Sequence, residues 1–401
     1  MAGPLAGLTA VEIGDRGEVA GKLLADAGVD VVRIEHPAGA RSRHTGPFAA
    51  DDPDRGASLH FAYLNTNKRS VTLDLALAAD AERWRALASA RDIVLDSAGP
   101  GVLDSVGLGY ESFGGGGSPR LIWCAITPFG LTGPRRDWAT TDLVSMALGG
   151  PPMSTGYDDH DLPPMRPDGE HSLNMAGEYA VAGVLAALLQ RTMTGEGQLV
   201  DVSIHEAVAG TTEGAFESWE YRGLINQRQT GRHSAPSPTG PSQFQCGDGH
   251  YAQILGGGIP RRKEFFPRLL AWMDEHEAAA DLHDPIYSRA LYDGEGDAVA
   301  ARAHVVEVIQ RFVAMLPMEE VYRRAQSMHL PWGPVRRPED NLDDPHWADR
   351  DFFVEADVPG ATTTARYPRA GYRFTASPIE FRHRAPNLGE HNDEIFGDLD
   401  S

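Results

Sequence analysis

The segment LTAVEIGDRGEVAGKLLADAGVDVVRIE, Leu8–Glu35, decides the fold. LTAVEI (Leu8–Ile13) is a short apolar run, fit for a strand buried on both faces. From Glu18 to Ala27 the apolar residues of EVAGKLLADA recur at helical spacing, and Gly28 stops the helix. VDVVRIE follows as a second strand. Strand, helix and strand in this order predict a βαβ unit, the start of an α/β domain.

The alternation continues downstream. Ser70–Leu75 reads as a strand, Ala79–Ala90 as a helix and Asp92–Leu95 as a strand. RLIWCAI (Arg120–Ile126) is another strand, preceded by the glycine run Gly114–Gly117. This implies an open, mostly parallel sheet with helices on both faces. A helix over Asn174–Thr192, apolar nearly all round, is expected to be buried. A strand (Gln198–Ile204) and a helix (His205–Tyr221) come next. Gln227–Pro241, rich in Pro, Ser, Gly and Arg, reads as a linker. A smaller α+β region then runs from Gln243 to about Met328, opening with a strand pair that turns at Gly247-Asp248-Gly249. The tail from Leu330 is loop-rich, with strands expected near Phe352 and Tyr372.

The chain has 401 residues and ample material for a buried core. Asp and Glu number 57 against 36 Lys and Arg, a formal charge of −21 that disfavours nucleic acid or an anionic membrane as partner. Only Lys22, Lys68 and Lys263 are lysines. Cys124 and Cys246 are too few for a disulfide scaffold or a cysteine-rich zinc site. The N-terminal residues lack the pattern of a signal peptide, and the apolar run Ala180–Leu189 is too short to span a bilayer, so a cytoplasmic location is expected. Gly14, Gly17 and Gly21 follow the first strand, and Glu35 ends the second, which suggests a dinucleotide turn and an NAD-dependent oxidoreductase. The spacing is GxxGxxxG rather than GxGxxG, so that signal is weak. His205-Glu206 lacks the second histidine of HExxH, and no metal is predicted.

Seven blocks in order resemble the class III CoA-transferases, with their carnitine CoA-transferase, formyl-CoA transferase and α-methylacyl-CoA racemase branches. They are KLLADAGVDVVRIEHPAGARSR (Lys22–Arg43), YLNTNKRSVTLDL (Tyr63–Leu75), PGVLDSVGLGY (Pro100–Tyr110), FGLTGPRRDW (Phe129–Trp138), TGEGQLVDVSIHEA (Thr194–Ala207), PWGPVRRPEDNLDDPHWADRDFF (Pro331–Phe353) and APNLGEHNDEIF (Ala385–Phe396). The resemblance implies a large Rossmann-like domain built from both ends of the chain, residues 1–225 and 329–401. A small domain with its linker, 226–328, is inserted between them. It also implies an interlocked dimer acting on an acyl-CoA and an organic acid, with coenzyme A as substrate.

CoA carries phosphates, so its site needs cations and backbone N–H groups. The resemblance and the loop positions nominate Arg33, Arg43, Asn67, Lys68, Arg69 and Arg135, with Arg41 and Arg136 beside them. The family's Asn-Phe-Arg/Lys-Pro-Gly loop is degraded here to Ser97-Ala98-Gly99-Pro100-Gly101. The nucleophile is missing as well. The family Asp falls seven residues after an Arg and four before a Gly, and both counts, from Arg166 and from Gly177, reach Leu173. A class III enzyme attacks the thioester with that carboxylate. Three alternatives follow. Glu170 or His171 takes over the role. Otherwise the chain is the non-nucleophilic subunit of a heteromer whose Asp-bearing paralogue supplies the group, as in the benzylsuccinate CoA-transferase subtype. The third is racemase-like chemistry, for which the expected His and Asp are Thr141 and Leu173 here. Asp142 is expected to cap the helix that follows it.

Overall fold

A computed structural model describes residues 3–49, 57–113, 118–212 and 214–397. The glycine run Gly114–Gly117 lies outside the described residues. Two compact units are present. One comprises Met1–Pro151, Arg166–Thr212 and Leu342–Ser401, the other Pro152–Met165 and Glu213–Asn341.

The larger unit is organised by a six-stranded sheet. Its strands are β1 (Thr9–Ile13), β2 (Asp30–Glu35), β3 (Lys68–Thr72), β4 (Ile93–Asp96), β5 (Ile122–Thr127) and β6 (Leu199–Ser203). The order is β3-β2-β1-β4-β5-β6, and every pairing is parallel. This is the doubly wound order of dinucleotide-binding folds, with its switch point between β1 and β4. The central strands are buried on both faces, so Ala10, Val31, Ile93 and Ile122 face one apolar layer and Val11, Val32, Val94 and Trp123 the other. Helix α1 (Glu18–Asp26) joins β1 to β2, α2 (Leu59–Leu64) precedes β3, and α3 (Ala78–Ser89) joins β3 to β4.

The long helix spans His171–Thr194. Ala176, Ala180, Val184 and Ala187 press one face into the core. At Gly177 an added Cβ would sit 2.6 Å from Val19, so the glycine sets the close approach to α1. The opposite face is exposed, with Tyr179, Leu185, Leu189 and Met193 on the surface, Met193 74% exposed. The expectation of burial all round is corrected: apolar residues cover the helix, but only one stripe meets a neighbour. The apolar run Ala180–Leu189, expected to be too short for a bilayer, is part of a 24-residue helix that by length and composition alone could span one.

The smaller unit has its own core around Phe244, Trp272, Ile309, Phe312 and Trp332. Gln227–Gln229 and Arg232–Ala235 (β7, β8) form an antiparallel pair inside the stretch expected to be a linker. Gln243–Gln245 and Tyr251–Ile254 (β9, β10) form the expected hairpin. Trp332–Val335 (β11) pairs with β10, which keeps the chain in this unit to Asn341, beyond the expected boundary at 328. The expected helix His205–Tyr221 is two helices, Ile204–Ala209 and Ala215–Arg222, and the unit boundary falls between them rather than at 225. In the returning tail, β12 (Phe353–Asp357) and β13 (Thr364–Pro368) pair antiparallel, and Tyr372 lies past them.

Candidate active site

In an open parallel sheet, ligands meet the loops at the strands' C-terminal ends, nearest the switch point. Here those loops are tightly stitched. Gly17 N donates to Ser97 Oγ at 3.0 Å, and Ser97 Oγ donates to the Ile13 carbonyl at 3.1 Å. Gly14 has φ +83°, and an added Cβ would lie 2.6 Å from the Ser97 carbonyl carbon. Only glycine fits that turn. At Gly21 an added Cβ would come within 1.6 Å of Glu12 Oε2 and 2.9 Å of Lys68 Nζ. The glycines thus have internal work: Gly14 makes the turn and Gly21 leaves room under α1 for a buried ion pair.

That pair belongs to a larger network. Lys68 is 1% exposed, and its ammonium donates to Glu12 Oε2 (2.8 Å), the Glu18 carbonyl (3.0 Å) and Asn65 Oδ1 (3.1 Å). An ammonium has three donors, and all three are used. Arg33, also 1% exposed, pairs with Glu12, with Asp15 at 2.7 Å and with Glu18 at 2.6 Å. Burial pulls the Lys68 pKa down, against the attraction of Glu12. Burial likewise raises that of Glu18, against Arg33. Arg33 is driven upward by its carboxylate neighbours, which outweigh its desolvation. Arg43 lies 3.8 Å over the Phe61 ring and forks onto Glu35, with both bonds at 2.7 Å, and reaches the Pro386 carbonyl. Burial alone would raise Glu35, but the Arg43 and Ser70 bonds and the charge of Arg33 hold it below its ordinary value.

Arg33, Asn67 and Lys68, expected in a CoA grip, are thus committed to internal partners in this structure. From the sequence the strand is expected from Ser70, with Asn67-Lys68-Arg69 in a loop. The structure starts β3 at Lys68, opposite Val31, and turns its side chain beneath α1. Asn67, at φ 64°, donates to Asp26 Oδ1 at 2.7 Å and accepts the amides of Arg382 and His383, anchoring the C-terminal segment. Arg69 is divided between Asp30 and Glu394. Arg43 is only partly exposed and committed to Glu35.

Cations with no such commitment lie on the loops after β1, β2 and β5. Arg135 is exposed, 5.4 Å over the Trp138 ring. Arg41 is exposed in a short 3-10 turn, and Arg16 sits in the Gly14–Gly17 turn itself. Among the described residues none of the three makes an ion pair. Arg16 escaped sequence reasoning, although its place between two turn glycines after a strand was a usable signal. Arg136 pairs with Asp137 at 2.8 Å.

The N-terminus of the long helix forms the second part of the site. Ser172 N donates to Asp142 Oδ1 at 2.9 Å, and Arg166 donates to Asp142 Oδ2 at 3.0 Å. Asp142 therefore serves the long helix across 30 residues, while Thr141 caps the helix that Asp142 begins. That corrects the expected cap. Glu170 stands at the N-cap position without a capping bond. Its carboxylate is 44% exposed and lies 3.5 Å from His60 Nε2. His171 opens the helix, half-buried, and Leu173 packs against the core layer of Ala176 and Met146. Ser172 Oγ, Thr127 Oγ1 and His205 Nδ1 are buried without a hydrogen-bond partner among the described residues. Buried polar atoms of this kind are uncommon and suit an incoming polar group. Asp96 ends β4 at the switch point, where burial raises its carboxyl to about 6 against the bonds from Ala98 N and Trp123 Nε1.

A doubly wound sheet with uncommitted cations on its C-terminal loops and a capped helix in the same unit defines an α/β protein of the nucleotide-fold class. Residues 5–392 match the family model of CoA-transferase family III. The chain is 33% identical to the succinyl-CoA:(R)-benzylsuccinate CoA-transferase subunit BbsE of Thauera aromatica, covering 96% of this chain and 91% of that one. It is 30% identical to succinyl-CoA:mesaconate CoA-transferase of Haloarcula marismortui, covering 93% and 90%. A CaiB/BaiF family protein from Brucella suis superposes with a TM-score of 0.80 at 25% identity, covering 100% of both chains. The chain belongs to CoA-transferase family III. The dinucleotide reading of the glycine turn gives way to this membership.

Proposed function

We propose that the protein moves CoA between an acyl-CoA and a carboxylic acid as the non-nucleophilic subunit of a heteromer. The observation that carries this is Leu173, a half-buried aliphatic side chain packed against the core at the slot where the family resemblance expects the attacking Asp. The likeness to BbsE, a transferase subunit by name, supports it. In this reading the partner's carboxylate attacks the thioester carbonyl. The C–S bond breaks, CoA leaves as its thiolate, and a mixed anhydride forms on the partner. This chain supplies Arg16, Arg41 and Arg135 to the phosphates and holds the helix terminus in place through Asp142. CoA acts as a substrate here, not as a resident group. We extend the same reading to location, a cytoplasmic enzyme, and to an interlocked assembly.

A second reading rests on Glu170, whose exposed carboxylate beside His60 is positioned by the same helix terminus. Incubation of the pure protein with succinyl-CoA, trapping with hydroxylamine or borohydride, and mass spectrometry separates the two. The heteromer predicts CoA binding by calorimetry, none for NAD, and no carboxylate adduct on this chain. An adduct at Glu170 would replace it with the second reading.

A further inference from the structure

The returning tail of the larger unit builds a cavity of about 410 Å³ that shares no residue with the candidate active site. Its walls are aromatic and its rim is cationic: Trp347, Phe352, Tyr372 and Phe374 with Arg350 and Arg369. Trp347 is braced by Phe352 and Phe353, with ring centroids at 4.6 Å and 5.6 Å. Tyr372 and Phe374 meet edge to face at 5.5 Å, and both remain exposed. Arg373 lies 3.9 Å from Asp351, the one carboxylate in the lining.

The arginines are the telling feature. Elsewhere in this unit Arg33, Arg43, Arg69, Arg191 and Arg384 are each matched to a carboxylate, while Arg16, Arg41 and Arg135 of the candidate active site are not. Among the described residues Arg350 and Arg369 make no ion pair and no side-chain hydrogen bond. Both point to the same aromatic cavity on a chain with 21 excess negative charges. Guanidinium forks recognise carboxylate or phosphate in two-pronged fashion, and aromatic walls take a flat ring. The volume suits a small ligand.

The cavity also has a definite address. Arg369, Ala370 and Ile379 line it and also line a narrow space beside Lys22, Asp26 and Asn67. Asp26 is the last residue of α1, at the end away from the C-terminal edge of the sheet. A helix of 9 residues is about 13 Å long, so this site and the candidate active site lie at opposite ends of α1.

We propose that this cavity binds a small planar aromatic anion, with its ring between Trp347 and the Tyr372–Phe374 wall and its charge on Arg350 and Arg369. Calorimetric titration of the full-length protein, saturated with CoA to occupy the CoA site, tests it. The probes are phthalate, AMP, succinate and benzyl alcohol. Phthalate or AMP is expected to bind at least tenfold more tightly than succinate or benzyl alcohol. The tighter of the two identifies a carboxylate or a phosphate as the natural charge. Arg369→Gln and Tyr372→Leu, both surface changes, should each weaken that binding at least fivefold with unchanged melting temperature. Equal affinity for succinate and phthalate, loss of binding in the presence of CoA, or wild-type affinity in both variants would overturn the proposal.

Discussion

The carboxylate of Asp142 accepts the amide of Ser172, 30 residues later, at 2.9 Å, so the first residue of one short helix caps the start of another. The same carboxylate holds Arg166. A negative charge at a helix N-terminus also opposes the positive end of the helix dipole. Asp142→Ala should therefore lower stability by about 1–2 kcal/mol, read as a shift in denaturant midpoint. Asp142→Asn keeps an acceptor and should lose roughly half as much. Equal midpoints for Ala and wild type would remove this role.

Lys68 and Arg135 should behave in opposite ways. Lys68→Met leaves Glu12 Oε2 without its ammonium although Arg33 still holds the other oxygen, and breaking a buried pair costs about 3–5 kcal/mol. Arg135→Ala should leave the melting temperature in place and weaken CoA binding several-fold. If Lys68→Met melts like wild type while binding CoA poorly, the two roles are reversed.

The confusion over Lys68 shows where the sequence stops being legible. The β1–α1–β2 unit reads directly, because apolar period and a stop glycine are local signals. Asn67-Lys68-Arg69 is equally local but misleading, since a polar run before a strand looks like a loop. Its true partner, Glu12, is 56 residues away and inside a segment that reads as ordinary apolar strand. The cap from Asp142 was hidden for the same reason. The long helix shows a different limit. Its exposed and buried leucines and alanines are alike in composition, and only the neighbouring α1 and β5 decide which stripe is covered. Nothing local to Gly177 announces its tight fit on Val19, which exists only in three dimensions.

Asp96 gives a pH signature. Its folded pKa, about 6, lies above the unfolded value of 3.8. The folded state thus holds a proton that the unfolded state releases between these values. Its contribution to stability is complete below about pH 4 and is lost as pH rises through 6. Asp96→Asn should stabilise the protein at pH 7.5 by of order 1–3 kcal/mol and make little difference at pH 4. Thermal melts of both proteins at the two pH values check the sign.

Leu173→Asp restores a carboxylate to the first turn of the long helix. It gives up apolar packing worth about 1–3 kcal/mol. In exchange, the variant incubated with succinyl-CoA should yield a hydroxylamine-sensitive adduct at position 173 that wild type lacks. Absence of the adduct in a folded variant counts against the slot assignment.

The buried ion network has a consequence for encounter rates. Arg33, Arg43 and Lys68 are neutralised inside by Glu12, Glu18 and Glu35, so they lend little positive potential to the outside. A CoA ester, itself several-fold anionic, then diffuses toward a body of net charge −21 and meets attraction only at the last few ångströms. Most enzymes for anionic substrates are slowed by salt. This one should associate faster as ionic strength rises toward 0.1 M, where the Debye length shortens to about 10 Å and the long-range repulsion fades before the short-range grip does.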